Sequence, residues 1–199
     1  SEFKIIFYWE YFHRMIARII GLFFLIPLIF FYFSKKIKKN YLDTCSMIFL
    51  LIIFQGIVGW YMVKSGLVND ITVSHYRLSL HLSTAILIMS IMFWLIMNVV
   101  SNKEKFFFTF SISNIFFQFL IFIIFIQIIM GALVSGLDAG KIYQTWPLMG
   151  KDFLPNDLII LNFKNIIDFN NHSLVQFYHR NLAYFTVLYV SLMALFIYK

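Results

Sequence analysis

Residues Phe106–Leu137 read FFFTFSISNIFFQFLIFIIFIQIIMGALVSGL, 32 consecutive positions without an Asp, Glu, Lys or Arg. A hydrocarbon core about 30 Å thick is crossed by about 20 apolar residues in a helix. The stretch is therefore longer than one span needs, and its beginning lies in the interface or the helix tilts. Two helices would need a turn in its middle, yet no Pro or Gly occurs before Gly131. Four further charge-free stretches flank it: Ile19–Ser34, Thr44–Val63, Leu78–Asn102 and Asn181–Tyr198. The first and last are slightly short, and each extends backwards through a His-Arg pair, to about Glu10 and about Leu174. The expected fold is an all-α polytopic membrane protein with five transmembrane helices.

Composition agrees. Of 199 residues, 61% are hydrophobic and 13% charged, where a soluble domain needs about 25% charged residues to cover its surface. A water-soluble globular fold is excluded. The net charge of +7 raises nucleic acid as a partner, but the basic residues form short runs between apolar stretches, as in membrane proteins. No nucleic-acid partner is expected; membrane lipid is. The 26 Phe, beside many Ile, Asn and Lys, reflect AT-rich coding and are not in themselves a binding feature. A single cysteine, Cys45, excludes an internal disulfide framework and a Cys-rich metal site. The chain opens on Ser1 without the features of a signal peptide, and we expect it to be cut from a longer one.

The connections alternate in charge. Lys35, Lys36, Lys38 and Lys39 follow the first span, and Lys103 and Lys105 follow the third. The long segment 138–172 carries three Lys against four Asp. The positive-inside rule puts the Lys-rich loops on the cytoplasmic side and the loops Lys64–Tyr76 and Asp138–Asn171 outside. The long outer loop holds Trp146-Pro147-Leu148-Met149-Gly150 and Phe153-Leu154-Pro155, an apolar, turn-rich composition that suits a lid on the membrane surface.

In this topology His13, His81 and His179 each lie near the outer end of a helix, at similar depth. A lone intramembrane His has a structural use as often as a functional one, but three at one level are explained more simply as axial ligands of flat cofactors. His75 and His172 fall in the loops and are read as interfacial.

The surroundings of two of these histidines repeat. Trp9-Glu10-Tyr11-Phe12-His13-Arg14-Met15-Ile16-Ala17 aligns with Val175-Gln176-Phe177-Tyr178-His179-Arg180-Asn181-Leu182-Ala183. Each has an acid or amide three residues before the His, an aromatic pair, the His-Arg, and an Ala four residues after, with i−3, i and i+4 on one helix face. The third helix carries Arg77, His81 and Ala85 at i, i+4 and i+8. Arginines beside such ligands suit carboxylates such as heme propionates, or snorkel to headgroups. A second repeat sets Gln55-Gly56-Ile57-Val58-Gly59 with Ser65-Gly66-Leu67 against Gln127-Ile128-Ile129-Met130-Gly131 with Ser135-Gly136-Leu137. Its Gln and Gly also suit ordinary packing of membrane helices, while Ser-Gly-Leu suits a helix end. The two repeats point to a tandem duplication of four-helix units.

These strings, with Val73-Ser74-His75-Tyr76-Arg77-Leu78-Ser79-Leu80-His81, Gly131–Gly140 and Thr145-Trp146-Pro147-Leu148-Met149, resemble heme A synthase of the mitochondrial and related bacterial type, collinearly over essentially the whole chain. The resemblance implies an eight-helix protein of two four-helix halves in a bacterial or mitochondrial inner membrane. Within it, residues 1–102 are helices 2–4 of the first half, and 103–199 hold helices 5 and 6 of the second with the outer loop 138–172. It implies oxidation of a methyl group of heme O to a formyl group by successive hydroxylation, for cytochrome oxidase biogenesis. By the same resemblance His13 and His81 are the histidine pair of the first half, where the substrate heme sits, Glu10 is a functionally important acid, and His179 is one ligand of a heme b in the second half. The expected sites are Glu10, His13 and His81 as catalytic, these histidines and His179 on heme iron, and Arg14, Arg77 and Arg180 as heme-binding cations. Heme O synthase and an unidentified electron donor are the implied partners. The 199-residue chain by itself is expected to be inactive.

Two other readings remain. Glu10 has a structural use as an i,i+4 ion pair with Arg14 or as a charge on the helix dipole, beside its use as a proton donor. As a whole, the chain also fits a membrane cytochrome b that only carries electrons, although such proteins place two ligands on each helix and here each helix offers one. A transporter is disfavoured because no helix is broken at mid-membrane.

Overall fold

The computed structural model describes residues 2–66, 73–101, 112–158 and 163–198. Among these the chain is helical, with α1 (Glu2–Ser34), α2 (Lys39–Gly66), α3 (His75–Val100), α4 (Ile115–Gly136), α5 (Phe163–Ile166) and α6 (His172–Tyr198). Short 3-10 turns, Ile112–Asn114 and Ala139–Lys141, flank α4. All but α5 are long and apolar enough to cross a membrane. Even α4, at 22 residues, extends about 33 Å at 1.5 Å per residue. The protein is an all-α, multi-pass integral membrane protein.

Helix boundaries follow local chemistry. α1 runs through Pro27, as membrane helices allow, and stops where Lys35 turns left-handed (φ 52°) while its N–H still donates to Phe31 O at 3.1 Å. α6 begins earlier than the apolar pattern indicates. Asn171 caps it, its Oδ1 accepting the Leu174 N–H at 3.0 Å, the geometry of an N-cap side chain. α3 starts on Ser74, whose carbonyl accepts from Arg77 and Leu78. His75 and His172 therefore open helices instead of lying in loops. α2 and α4 end at Gly66 and Gly136, the glycines of the Ser-Gly-Leu repeat. Residues 102–111, where the interfacial beginning of the fourth span is expected, lie outside the described residues.

The chain divides into two compact units, Ser1–Tyr61 with Thr84–Phe108, and Met62–Ser83 with Thr109–Lys199. In the first, Ile48, Ile88 and Ile91 form a buried core with Phe24, Leu51, Ile52, Leu87, Met92 and Leu95 around it. Thr84 Oγ1 donates to Gln55 Oε1 there, tying α2 to α3. One side of α1 is exposed, with Phe23 and Phe33 each more than three-quarters exposed.

In the second unit α4 and α6 pack closely and run antiparallel. Met130, Leu133 and Val175 form the core, covered by Ile126, Ile129, Leu137, Phe169, Tyr178 and Leu182. Toward the far end Tyr189 donates to Phe116 O at 2.9 Å. The start of α3 joins them, with Ser79 Oγ donating to Ile129 O at 3.3 Å. A Cβ on Gly136 would lie 2.7 Å from both Cα and Cβ of His75, so the absence of a side chain lets the two helix ends touch. Between membrane helices the solvent offers no hydrophobic drive, and such close packing and interhelical hydrogen bonds hold the bundle.

Candidate functional site

His179 sits on α6 against α4. The Nε2 of Gln127 is 3.2 Å from its Nδ1, 3.5 Å from its Nε2 and 3.2 Å from its backbone oxygen. One turn further along α4, a Cβ on Gly131 would stand 3.2 Å from His179 Cε1. The Gln-x-x-x-Gly element of α4 thus forms a cradle for one imidazole: the amide grips it and the glycine leaves the room it occupies. Gln127 Oε1 is buried with no hydrogen-bond partner among the described residues. A half-buried imidazole beside an unsatisfied acceptor is a donor set that fits a heme iron, since ligating histidines pass their second ring N–H to such an acceptor.

The flanking residues of the motif turn to the outer loop. Gln176, 3% exposed, accepts the Tyr143 N–H through Oε1 at 3.3 Å, and its Nε2 donates to Tyr143 O at 2.8 Å and Gly140 O at 3.4 Å. Arg180 donates to the carbonyls of Thr145 at 2.7 Å, Leu148 at 3.4 Å, and Tyr143. Thr145 Oγ1 in turn donates to Leu148 O and accepts the Gly150 N–H. Phe177 meets Phe153 edge to face, and Tyr178 donates to Ile166 O at 2.7 Å. From 176 to 180, every side chain except the His grips the loop.

A carboxylate closes this loop. Asp157 accepts from Tyr143 OH and from Ser173 Oγ, both at 2.6 Å. Partial burial pushes its carboxyl upward, but the two hydrogen bonds outweigh that and hold it below its ordinary range. The bond to Asp157, with burial and the nearby charge, raises the Tyr143 phenol in turn. Neither residue stands out in the sequence, because each acts through a loop geometry that spacing does not reveal. Gln176 was detectable only as the counterpart of Glu10 in the repeat.

The first copy of the motif is arranged otherwise. On α1, Glu10 and Arg14 pair with each other at 3.2 Å, both about half exposed, and His13 is exposed. The aromatic pair packs on its own helix, Tyr11 stacking on Phe7 and Phe12 meeting Trp9. His81 and Arg77 are half-buried on α3. His13 belongs to the first unit, His81 and His179 to the second. The Arg14 and Arg180 guanidiniums have different partners here, a carboxylate and a set of carbonyls.

The profile of the COX15-CtaA family, described as cytochrome oxidase assembly protein, matches residues 1–199. The chain is 44% identical over its whole length to the heme A synthase of Pelagibacter ubique, covering 58% of that protein. It is 40% identical to the heme A synthase of Bartonella tribocorum and 39% identical to that of Rickettsia felis, in each case across the whole chain and over 56% and 59% of those proteins. The chain thus spans somewhat more than half the length of these relatives. No solved structure matches it significantly.

Proposed function

This chain belongs to the COX15-CtaA family of cytochrome oxidase assembly proteins, and from that premise we propose that it forms the middle helices of a heme A synthase. The protein oxidises a ring methyl of heme O to a formyl group. Residues 1–102 supply part of the substrate half, and 103–199 begin the half that holds a heme b. The observation that carries this reading is the His179 cradle, an imidazole held at a helix crossing by Gln127 with space cleared by Gly131.

A bound heme supplies one-electron redox chemistry at its iron. The chain's own residues have separate tasks. His179 holds heme b, while His13 and His81 hold and orient heme O. Glu10, one turn before His13, holds or moves a proton next to the reacting ring, and Arg14 and Arg77 take the propionates. Gln176 and Arg180 fix the outer loop over the His179 end of α6. A heme O synthase would supply the substrate, and a separate donor the electrons.

Pyridine extraction of the complete protein, expressed where heme O but no other heme A source exists, tests this. Heme A should appear, and His13→Ala and His81→Ala should each abolish it. Only heme b in the unmodified protein would turn the reading to an electron carrier, and unchanged heme A in both variants would remove the histidine assignment.

A further inference from the structure

The outer end of the second unit carries an open hollow that the heme reading does not use. It has a volume of about 440 Å³ and is lined by Tyr76, Lys164, Asn165, Ile167, Asp168 and Asn170. Tyr76 is the second residue of α3, and Asn170 stands two residues before α6. Both helices are long and apolar enough to cross a membrane, so a hollow at their first residues lies at the level of the lipid headgroups. One wall is fixed from behind: Ile166 O accepts from Tyr178 OH at 2.7 Å, and Phe169 meets Tyr178 edge to face in the cover of the α4–α6 core. The residues between and beside these two anchors, Lys164, Asn165, Asp168 and Asn170, are exposed. Because α5 stops at Ile166, Lys164 and Asp168 do not meet as they would four apart on a continuous helix, and neither has an ion-pair partner among the described residues. Asp168 Oδ1 accepts from Asn170 N and Nδ2 at 3.1 and 3.0 Å, whereas Oδ2 makes no hydrogen bond among the described residues.

An ammonium and a carboxylate oxygen held apart in one hollow select a ligand that carries both signs: a simple anion meets Asp168, a simple cation meets Lys164, and each is repelled. Apolar surface adjoins the charges. Leu80, one turn below Tyr76 on the same face of α3, and Ile167 are each about half exposed. We propose that this hollow binds the headgroup of phosphatidylethanolamine. Lys164 takes the phosphate, Asp168 Oδ2 takes the ammonium, and the acyl chains descend past Ile167 and Leu80. A primary ammonium donates three hydrogen bonds and a carboxylate accepts them, whereas the methylated nitrogen of a choline headgroup donates none. Asp168 therefore sets the preference for ethanolamine over choline, and Lys164 serves the phosphate that both lipids share. The bound lipid ties the start of α3 to the segment that leads into α6. This inference involves no heme and stands apart from the reading above.

The test takes the complete protein, delipidated in detergent, and follows by native mass spectrometry the first lipid bound as dioleoyl phosphatidylethanolamine or dioleoyl phosphatidylcholine is added. The ethanolamine lipid should bind at least about threefold more tightly, within the range of an exposed ion pair. Asp168→Asn, whose amide oxygen still accepts from Asn170, should remove that preference and leave phosphatidylcholine binding unchanged. Lys164→Gln should weaken both lipids at least about threefold. Glycerophosphoethanolamine, the headgroup without the chains, should compete only at about 100-fold higher concentration, as the cover of two aliphatic side chains requires. Equal binding of the two lipids by the unmodified protein, or a preference that survives Asp168→Asn, would overturn the proposal. Competition by glycerophosphoethanolamine at the lipid's own concentration would overturn it in favour of a soluble zwitterion. Should Asp168→Asn not accumulate, Lys164→Gln decides, and unchanged binding of both lipids there would overturn the proposal.

Discussion

Two copies of one nine-residue pattern, around His13 and around His179, do different work in this protein. Around His179 the amide, the aromatic pair and the arginine all reach the outer loop, while the histidine meets Gln127 of α4 beside the core that Val175, Tyr178 and Leu182 share with Met130 and Leu133. Around His13 the same positions turn back on their own helix, and Glu10 bonds Arg14. The change that matters is at the second position. Gln176 accepts one backbone N–H and donates to two carbonyls; an ionised carboxylate only accepts. Glu10 could not replace it there, and an amide could not move a proton. In the proposed function, the Glu in one copy and the Gln in the other separate a chemical role from a scaffolding role within one repeated pattern.

Exchanging the two groups should give the largest effect. Glu10→Gln in the complete protein keeps the shape and removes the proton, and heme A formation should fall at least about 100-fold, the lower range for loss of general acid-base help. Gln176→Glu should leave heme A formation within about tenfold, because the change falls on the loop and not on the reaction. Retained turnover in Glu10→Gln would return Glu10 to an ion-pairing role and erase the contrast.

Stability should divide the copies in the opposite sense. Gln176→Ala leaves the Tyr143 N–H and the Gly140 carbonyl without their side-chain partner, while Arg180 still serves the Tyr143 carbonyl, and the cost should be about 2–3 kcal/mol. Arg180→Ala, which releases three carbonyls, should cost about 2 kcal/mol. Arg14→Ala breaks a half-exposed i,i+4 pair and an exposed hydrogen bond to the Glu10 carbonyl and should cost about 0.5 kcal/mol or less. Detergent unfolding of the three variants reads the difference; equal losses for Arg14 and Arg180 would show that the two arginines are equally embedded.

The helices were legible because absence of charge over some 20 residues is nearly sufficient for a span. Their starts were less so: the apolar pattern begins near Leu174, but Asn171 captures an N–H and starts α6 at His172. The candidate histidines were visible as a coincidence of depth and a repeated string. Their partners were not. That Gln127 meets His179, 52 residues on, depends on the rotation of two helices about their axes, which a pattern apolar on nearly all sides leaves open. Asp157 was invisible for a similar reason: a loop carboxylate becomes a tie only once Tyr143 and Ser173 are folded onto it.

Two glycines at non-equivalent positions of the second repeat show a further difference in packing. A Cβ at Gly136 would strike the backbone of His75 at 2.7 Å, whereas one at Gly56 would meet nothing within 4 Å. Gly136→Ala should cost about 1–3 kcal/mol, as overpacking does. Gly56→Ala should be neutral or stabilising by up to about 1 kcal/mol, through helix propensity. Thermal unfolding of this chain in detergent measures both, and a neutral Gly136→Ala would mean that α3 and α4 yield at their crossing.

The smallest effect is a pH dependence confined to the second copy. The Asp157 carboxyl lies below its ordinary 3.8, so the folded loop prefers it ionised. Its contribution is complete above the unfolded value and disappears as pH falls through the lower, folded one. The Tyr143 phenol lies above its ordinary 10.0, so its contribution is present below that value and is lost as pH rises through the folded one. The tie between loop and α6 should therefore hold between these limits and loosen at either end. Limited proteolysis between Tyr143 and Asp157 at graded pH should show a protected plateau with faster cleavage toward pH 3. Asp157→Asn should flatten the acid limb, because no charge remains to be lost, and should raise cleavage modestly on the plateau. Glu10→Gln should leave the profile unchanged. An acid limb that persists in Asp157→Asn would place its origin in another group and leave the loop held by Gln176 and Arg180 alone.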